Sequence, residues 1–246
     1  MEVHSAVTAA GTGMEVVAYT TASVTDESPT NQRVVHVMET RLYSKPKNIS
    51  FKDAAGLASA YLRAAAILQQ ELEIPIAFSQ AEHAGTGAYH GRRILIIGGQ
   101  TALGAAMTQV LHLVEPECKV IVTSSMHDQY QLLQRTIHLI KLGATYAIDG
   151  LTPDLIEHVL DAMDMYKGWD AVLDTGGEVA RRGELLDLLV GPKSYVNCYA
   201  TGNIAPALTL LMERRDVMDQ FEKLLEEAAE AFEIVTEPRC ELVTEY

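Results

Sequence analysis

From residue 94 onward, short runs of consecutive apolar residues alternate with stretches in which apolar residues recur every three or four positions. The runs fall at residues 94–97, 120–123, 146–148, 171–173 and 195–197. Strands that are apolar on both sides need cover on both faces, the condition of a parallel sheet with crossover helices. Between the first two runs, Leu103, Met107, Val110, Leu111 and Val114 share one helical face, and Leu133, Ile137 and Ile140 do the same between the next two. The pattern predicts an α/β fold with a doubly wound parallel sheet.

Before residue 50 the regime differs. Residues 15–20 and 33–39 are β-branched runs separated by a Ser/Thr/Asp/Pro/Asn-rich stretch at 21–32, which reads as two strands, or three, joined by a loop. So few strands cannot enclose a core of their own. Ser50 followed by Asp53 has the chemistry of a helix N-cap with an acidic first turn, and the Ala-rich segment 54–70 predicts a helix of about four turns. Residues 75–91 form a polar, glycine-containing connection. The expected organisation is a small N-terminal β lobe over residues 1–50 and a larger α/β unit over residues 51–246.

The glycines sit where this architecture binds ligands. After the run at 94–97 come Gly98, Gly99, Gln100, Thr101, Ala102, Leu103 and Gly104, followed by a predicted helix. A diphosphate placed there meets the unpaired amides and positive dipole end of the helix, and glycines let the backbone approach it. The middle glycine of the usual fingerprint is missing, so the pattern draws its force from its context: strand before, helix after, a second strand about 25 residues on. An ordinary tight turn is the competing reading. The second strand ends in Thr123, Ser124 and Ser125. An acidic residue there would hold a ribose 2′-hydroxyl, whereas small hydroxyl residues leave room for a 2′-phosphate, so NADP(H) is the expected cofactor. No Arg or Lys stands at this turn, and Asp128 reads as a helix cap. At the end of the fourth run, Asp174, Thr175, Gly176 and Gly177 would lie on the same edge, with Thr175 and Gly176 placed to contact the nicotinamide ribose or to make a plain turn.

Composition narrows the function classes. The chain has 246 residues, 48% of them hydrophobic, and a formal charge of −14 that opposes nucleic acid and anionic membranes as partners. Cys118, Cys198 and Cys240 are widely spaced, odd in number and lack CxxC spacing, which excludes a disulfide framework and a structural zinc site and suits a reducing compartment. With no signal-like start and no run of 18 apolar residues, a cytoplasmic protein is expected. The eight histidines include no ligand pair at helical spacing, so no metal is expected; His112 and His138 read as surface or half-buried side chains. Tyr43 and Lys47 satisfy a YxxxK spacing, but Pro46 between them breaks the helix such a proton relay needs. Cys198 ends a predicted strand and reads as a buried thiol in preference to a nucleophile. Tyr195, Tyr199 and Asn203 could hydrogen-bond a substrate carbonyl or, equally, only satisfy backbone groups at the strand end. The acidic stretch 213–233 carries Phe221, Leu224, Leu225, Ala228 and Phe232 as a core stripe opposite a solvated face.

Residues 94–104, the Leu142-Gly143-Ala144 ending before a strand, and residues 170–176 resemble the zinc-independent medium-chain dehydrogenases/reductases. The Gly-Gly-x-x-x-Leu-Gly form is similar to that of fungal trans-acting enoyl reductases. Residues 34–55 look like that family's last catalytic-domain strand, its Lys-Pro turn and the start of the following helix, and residues 226–246 like its closing helix and strand. The resemblance implies NADPH-dependent reduction of the activated double bond of a small α,β-unsaturated carbonyl compound, of polyketide or other secondary-metabolite type. It also implies a homodimer and a polyketide synthase as partners. The family's GroES-like barrel contributes roughly a hundred residues before this helix, a usual domain size, and only its last portion is expected here. Arg63 stands where the family has a cofactor-facing Thr. Arg63 and Tyr199 are the candidate catalytic side chains, and Gly98, Gly99, Thr101, Ala102, Leu103, Gly104, Ser124, Ser125, Thr175 and Gly176 the candidate cofactor contacts. A non-redox cyclase, isomerase or dehydratase on the same scaffold, or an inactive accessory subunit with a vestigial cofactor, are the alternatives.

Overall fold

The computed structural model describes residues 11–18, 37, 41–74, 76, 91–125, 127–162, 169–183, 185 and 194–198. Five strands, β3 (Arg93–Ile97), β4 (Lys119–Ser124), β5 (Tyr146–Asp149), β6 (Ala171–Asp174) and β7 (Ser194–Asn197), form one sheet in the order β5-β4-β3-β6-β7. All four pairings are parallel, with Ile94 opposite both Val120 and Ala171. The chain builds outward from β3 to β5 on one side, then crosses back over β3 to β6. That reversal opens a crevice at the carboxyl ends of β3 and β6, where folds of this type bind ligands.

Alternation along the strands splits the core into two. Ile94, Ile96, Val120, Val122, Ala171, Leu173 and Val196 face one way, onto helices α1 (Phe51–Leu72) and α2 (Ala102–Val114). Leu95, Ile97, Ile121 and Val172 face the other way, onto Leu155 and Val159 of α4 (Leu155–Asp161) and onto Trp169, Val179 and Leu185. The doubly wound arrangement expected from the apolar runs is borne out. Met107, Val110, Leu111 and Val114 form the inner face of α2, with Leu103 partly buried against the same core.

Helix α1 begins as the sequence predicts, with Ser50 Oγ accepting from the Asp53 amide at 3.1 Å and donating to Asp53 Oδ2 at 2.6 Å. It runs 22 residues, longer than expected, because the Ala-rich stretch continues without a breaker until Glu73, which takes the left-handed conformation at φ 53° and closes the helix. Ala64, Ala65, Ala66, Ile67 and Leu68 are buried, which lets α1 lie close against α2.

Strands β1 (Val16–Ala18) and β2 (Leu42–Ser44) form an antiparallel ribbon. Val17 and Tyr43 bury their side chains in the same core as α1. Lys45 ties the ribbon to the start of α1: its ammonium donates to the carbonyls of Pro46 and Ile49 at 2.8 and 2.7 Å and pairs with Glu15 at 3.2 Å. The expected strand at 33–39 lies outside the described residues apart from Val37, as do Tyr199, Asn203, Cys240 and the stretch 213–233. The β-branched runs did not show strand β2, whose three residues are too few for an alternation; it lies within the 34–55 segment, ahead of the Lys45-Pro46 turn.

Helix α3 (Gln129–Lys141) departs from expectation. Leu133, Ile137 and Ile140 are 56%, 43% and 45% exposed, whereas His138 and Leu139 are buried. Leu139 packs into the core shared by α1 and α2, and the helix closes with a cap on the same side. The amide of Ala144 donates to the Leu139 carbonyl at 3.0 Å and that of Gly143, at φ 105°, to Ile140 at 3.0 Å. This is the Schellman pattern, which pairs the side chains of Leu139 and Ala144 on the buried side. With Leu139 turned inward, Ile137 points to the opposite face at about 100° per residue. The same rotation carries His138, expected near the surface, into the interior.

Candidate functional site

The glycine loop is built by close approach. Beyond Ile97 the chain turns through Gly98 at φ 89°, and the Gly99 amide donates to the Thr123 carbonyl at 2.8 Å, holding the loop against the end of β4. A Cβ on Gly99 would fall 2.0 Å from Val122 Cγ1. One on Gly104 would fall 2.6 Å from the Gly98 carbonyl oxygen and 2.9 Å from Gly99 Cα. The first turn of α2 therefore rests on the loop itself. Thr101 caps that helix, its hydroxyl accepting from the Gly104 amide at 2.9 Å. Of the first amides of α2, those of Ala102 and Leu103 keep no partner within the helix, the arrangement that suits an anion.

The turn after β6 closes the other side of the crevice. Asp174 is fully buried and accepts from the amides of Gly176, Glu178 and Val179 at 3.2, 2.9 and 3.0 Å, which makes it the staple of this turn. Thr175 Oγ1 lies 2.8 Å from the Gly98 carbonyl oxygen and 3.0 Å from that of Ile97, and accepts from Thr101 Oγ1 at 2.9 Å. Thr175, Gly98 and Thr101, predicted from separate parts of the chain, are thus in direct contact.

Ser124 is fully buried, with an Oγ that has no hydrogen-bond partner, and its carbonyl accepts from Gly150 at 3.0 Å. Ser125 joins the other two segments. Its amide donates to Gln100 Oε1 at 3.3 Å and its hydroxyl to Glu178 Oε2 at 3.1 Å, while Gln100 Nε2 donates to Glu178 Oε1 at 3.0 Å. Neither Gln100 nor Glu178 was among the expected site residues. The available signal was an acidic residue directly after a Gly-Gly turn at the carboxyl end of a strand.

Other candidates lie elsewhere. Arg63 Nη2 donates to the Cys198 carbonyl at 2.9 Å, so its guanidinium ties α1 to the end of β7. Cys198 is fully buried, and burial first, with Asp174 second, pushes its thiol up to about 12, which removes it as a nucleophile at neutral pH. Tyr43 is buried on β2, and no helix carries it with Lys47. Tyr195 is 40% exposed with its hydroxyl 3.5 Å from Asp174 Oδ2; burial and then the Asp174 charge raise its pKa, keeping it a neutral donor. Among the described residues no cluster of three His, Cys, Asp or Glu side chains could hold a metal, and no helix is long and apolar enough to cross a membrane.

No family model matches the chain, and no curated protein matches its sequence. Solved structures do. AibC is similar over 77% of this chain and 54% of its own, at 16% identity and a TM-score of 0.51. A probable oxidoreductase from Mycobacterium abscessus is similar over 81% of this chain and 63% of its own, at 17% identity and a TM-score of 0.52. The chain shares their fold. It spans 54% and 63% of the length of these two structures. The doubly wound α/β fold expected from the sequence is borne out.

Proposed function

We propose that the chain binds a nicotinamide dinucleotide in the crevice between β3 and β6 and serves as a reductase of the activated double bond of a small α,β-unsaturated carbonyl compound. The observation that carries this reading is the fit of Gly104 under the loop. The space a side chain would need is taken by the backbone of Gly98 and Gly99, so the loop and the first amides of α2 form one surface against which a diphosphate can lie. Gly98, Gly99, Thr101, Ala102, Leu103 and Gly104 would hold the diphosphate. Ser124 and Ser125 would border the adenosine ribose, and Thr175 and Gly176 the nicotinamide side.

When bound, such a cofactor supplies the hydride. The protein's part is to orient it and to exclude water from the crevice. Of the two candidate catalytic side chains, Tyr199 remains a proposal from sequence, and Arg63 serves as a positioning residue through its bond to Cys198. Residues 1–50 as the remainder of a catalytic lobe, a homodimer, and a polyketide synthase as the source of substrate are parts of the same reading.

The test is a titration of the purified protein with NADH and NADPH followed by nicotinamide fluorescence, then addition of simple enones. Saturable binding with cofactor oxidation is the expected result. Binding without oxidation would favour the non-redox or accessory roles, and no saturable binding would remove the reductase reading.

A further inference from the structure

We infer that Glu178 is the residue that selects the ribose form of the dinucleotide, favouring the unphosphorylated diol of NAD(H) over the 2′-phosphate of NADP(H). The inference rests on the proposed dinucleotide site and departs from the NADP(H) expectation drawn from the end of β4.

In this fold the adenosine ribose lies at the carboxyl end of the strand after the glycine-loop helix, which here is the end of β4 at Ser124 and Ser125. An acid at that strand end would accept from the ribose hydroxyls. The strand has none, but the structure delivers one from another segment. Glu178, at the start of the short helix α5 (Glu178–Arg181), reaches across the crevice so that Oε2 accepts from the Ser125 hydroxyl at 3.1 Å. Its Oε1 accepts from Gln100 Nε2 at 3.0 Å, and Gln100 in turn receives the Ser125 amide. The carboxylate is therefore held from both sides in one place, and the residue is only 6% exposed.

Two chemical consequences follow. A carboxylate has capacity for about four acceptor contacts, so Glu178 keeps acceptor capacity for ribose hydroxyls after accepting from Ser125 and Gln100. A phosphate brought to the same place would meet the acceptor oxygens of Glu178 where it needs donors. Two arginines also stand at this corner. Arg181 Nη2 donates to the Gly176 carbonyl at 2.7 Å, and Arg182 Nη1 donates to the Gly150 carbonyl. An acid that touches the ribose strand and the glycine loop together also links cofactor binding to the turn after β6, because the Glu178 amide is itself held by Asp174.

The experiment compares NADH and NADPH binding to the wild-type protein and to Glu178→Gln by isothermal titration, with thermal melts to confirm that both are folded. The glutamine is isosteric and can still bond Ser125 and Gln100, so the fold should persist. The wild-type protein should bind NADH at least about tenfold more tightly than NADPH, and the variant should lose most of that ratio through a gain in NADPH affinity. A wild-type preference for NADPH, or a ratio unchanged by Glu178→Gln, would overturn the inference while leaving the dinucleotide site standing. Absence of binding by both proteins would overturn the site and the inference together.

Discussion

The carbonyl oxygen of Gly98 lies 2.6 Å from the point where a Cβ on Gly104 would stand, closer than any side chain could be accommodated. The obstacle is backbone, which cannot swing aside as a long side chain can. Gly104→Ala should therefore force the loop away from α2 and destabilise the protein by about 2 kcal/mol, in the usual range for overpacking. Chemical denaturation measures this, and dinucleotide titration of the folded fraction should show weakened binding as well. A variant as stable as the wild type would mean that the loop is not packed as described.

Leu139 and Ile137 test the rotation of α3. Leu139→Ala removes a buried side chain next to the Schellman cap and should cost about 2–4 kcal/mol. Ile137→Gln changes an exposed position and should stay within about 0.5 kcal/mol of wild type. Urea midpoints of the two variants decide the matter, and a reversed order would put the apolar stripe of Leu133, Ile137 and Ile140 back inside.

His138 should make stability depend on pH. Burial, and after it the charges of Arg135 and Lys141, push its pKa down from 6.5 to about 4. Between those values the unfolded chain takes up a proton that the native protein refuses, so stability is complete above about 6.5 and declines as pH falls toward 4. The slope attributable to one such group is at most ~1.4 kcal/mol per pH unit. Urea melts at several pH values should show a smaller acid slope for His138→Gln than for wild type. Parallel slopes would show that the imidazole takes up its proton equally in the native and unfolded states.

Cys118 and Cys198 should be inert to thiol reagents while the protein is folded. Both are buried, and burial, aided at Cys118 by Glu115 and at Cys198 by Asp174, pushes each thiol up to about 12. At pH 8 too little thiolate forms for alkylation, and access is blocked as well. Peptide mapping after iodoacetamide treatment should find these two sites modified only in denatured protein. Modification of Cys198 in the native state would reopen its reading as a nucleophile.

The sequence by itself determined the strands of the main sheet, the cap at Ser50, the inner face of α2 and the place of the glycine loop. These features are local: an apolar run bounded by turn residues, or a hydroxyl three residues ahead of an acid, leaves few alternatives to the chain. Tertiary structure alone decided which face of α3 turns inward. Periodicity shows which residues share a face, but here the burial of Leu139 in the core set the rotation against the larger apolar stripe. It alone also decided where polar side chains find partners. Arg63 meets the Cys198 carbonyl, 135 residues away, and Glu178 meets Gln100 and Ser125 across separations of 78 and 53. Those contacts depend on β6 lying next to β3, and strand order is a property of the whole sheet that no single segment encodes.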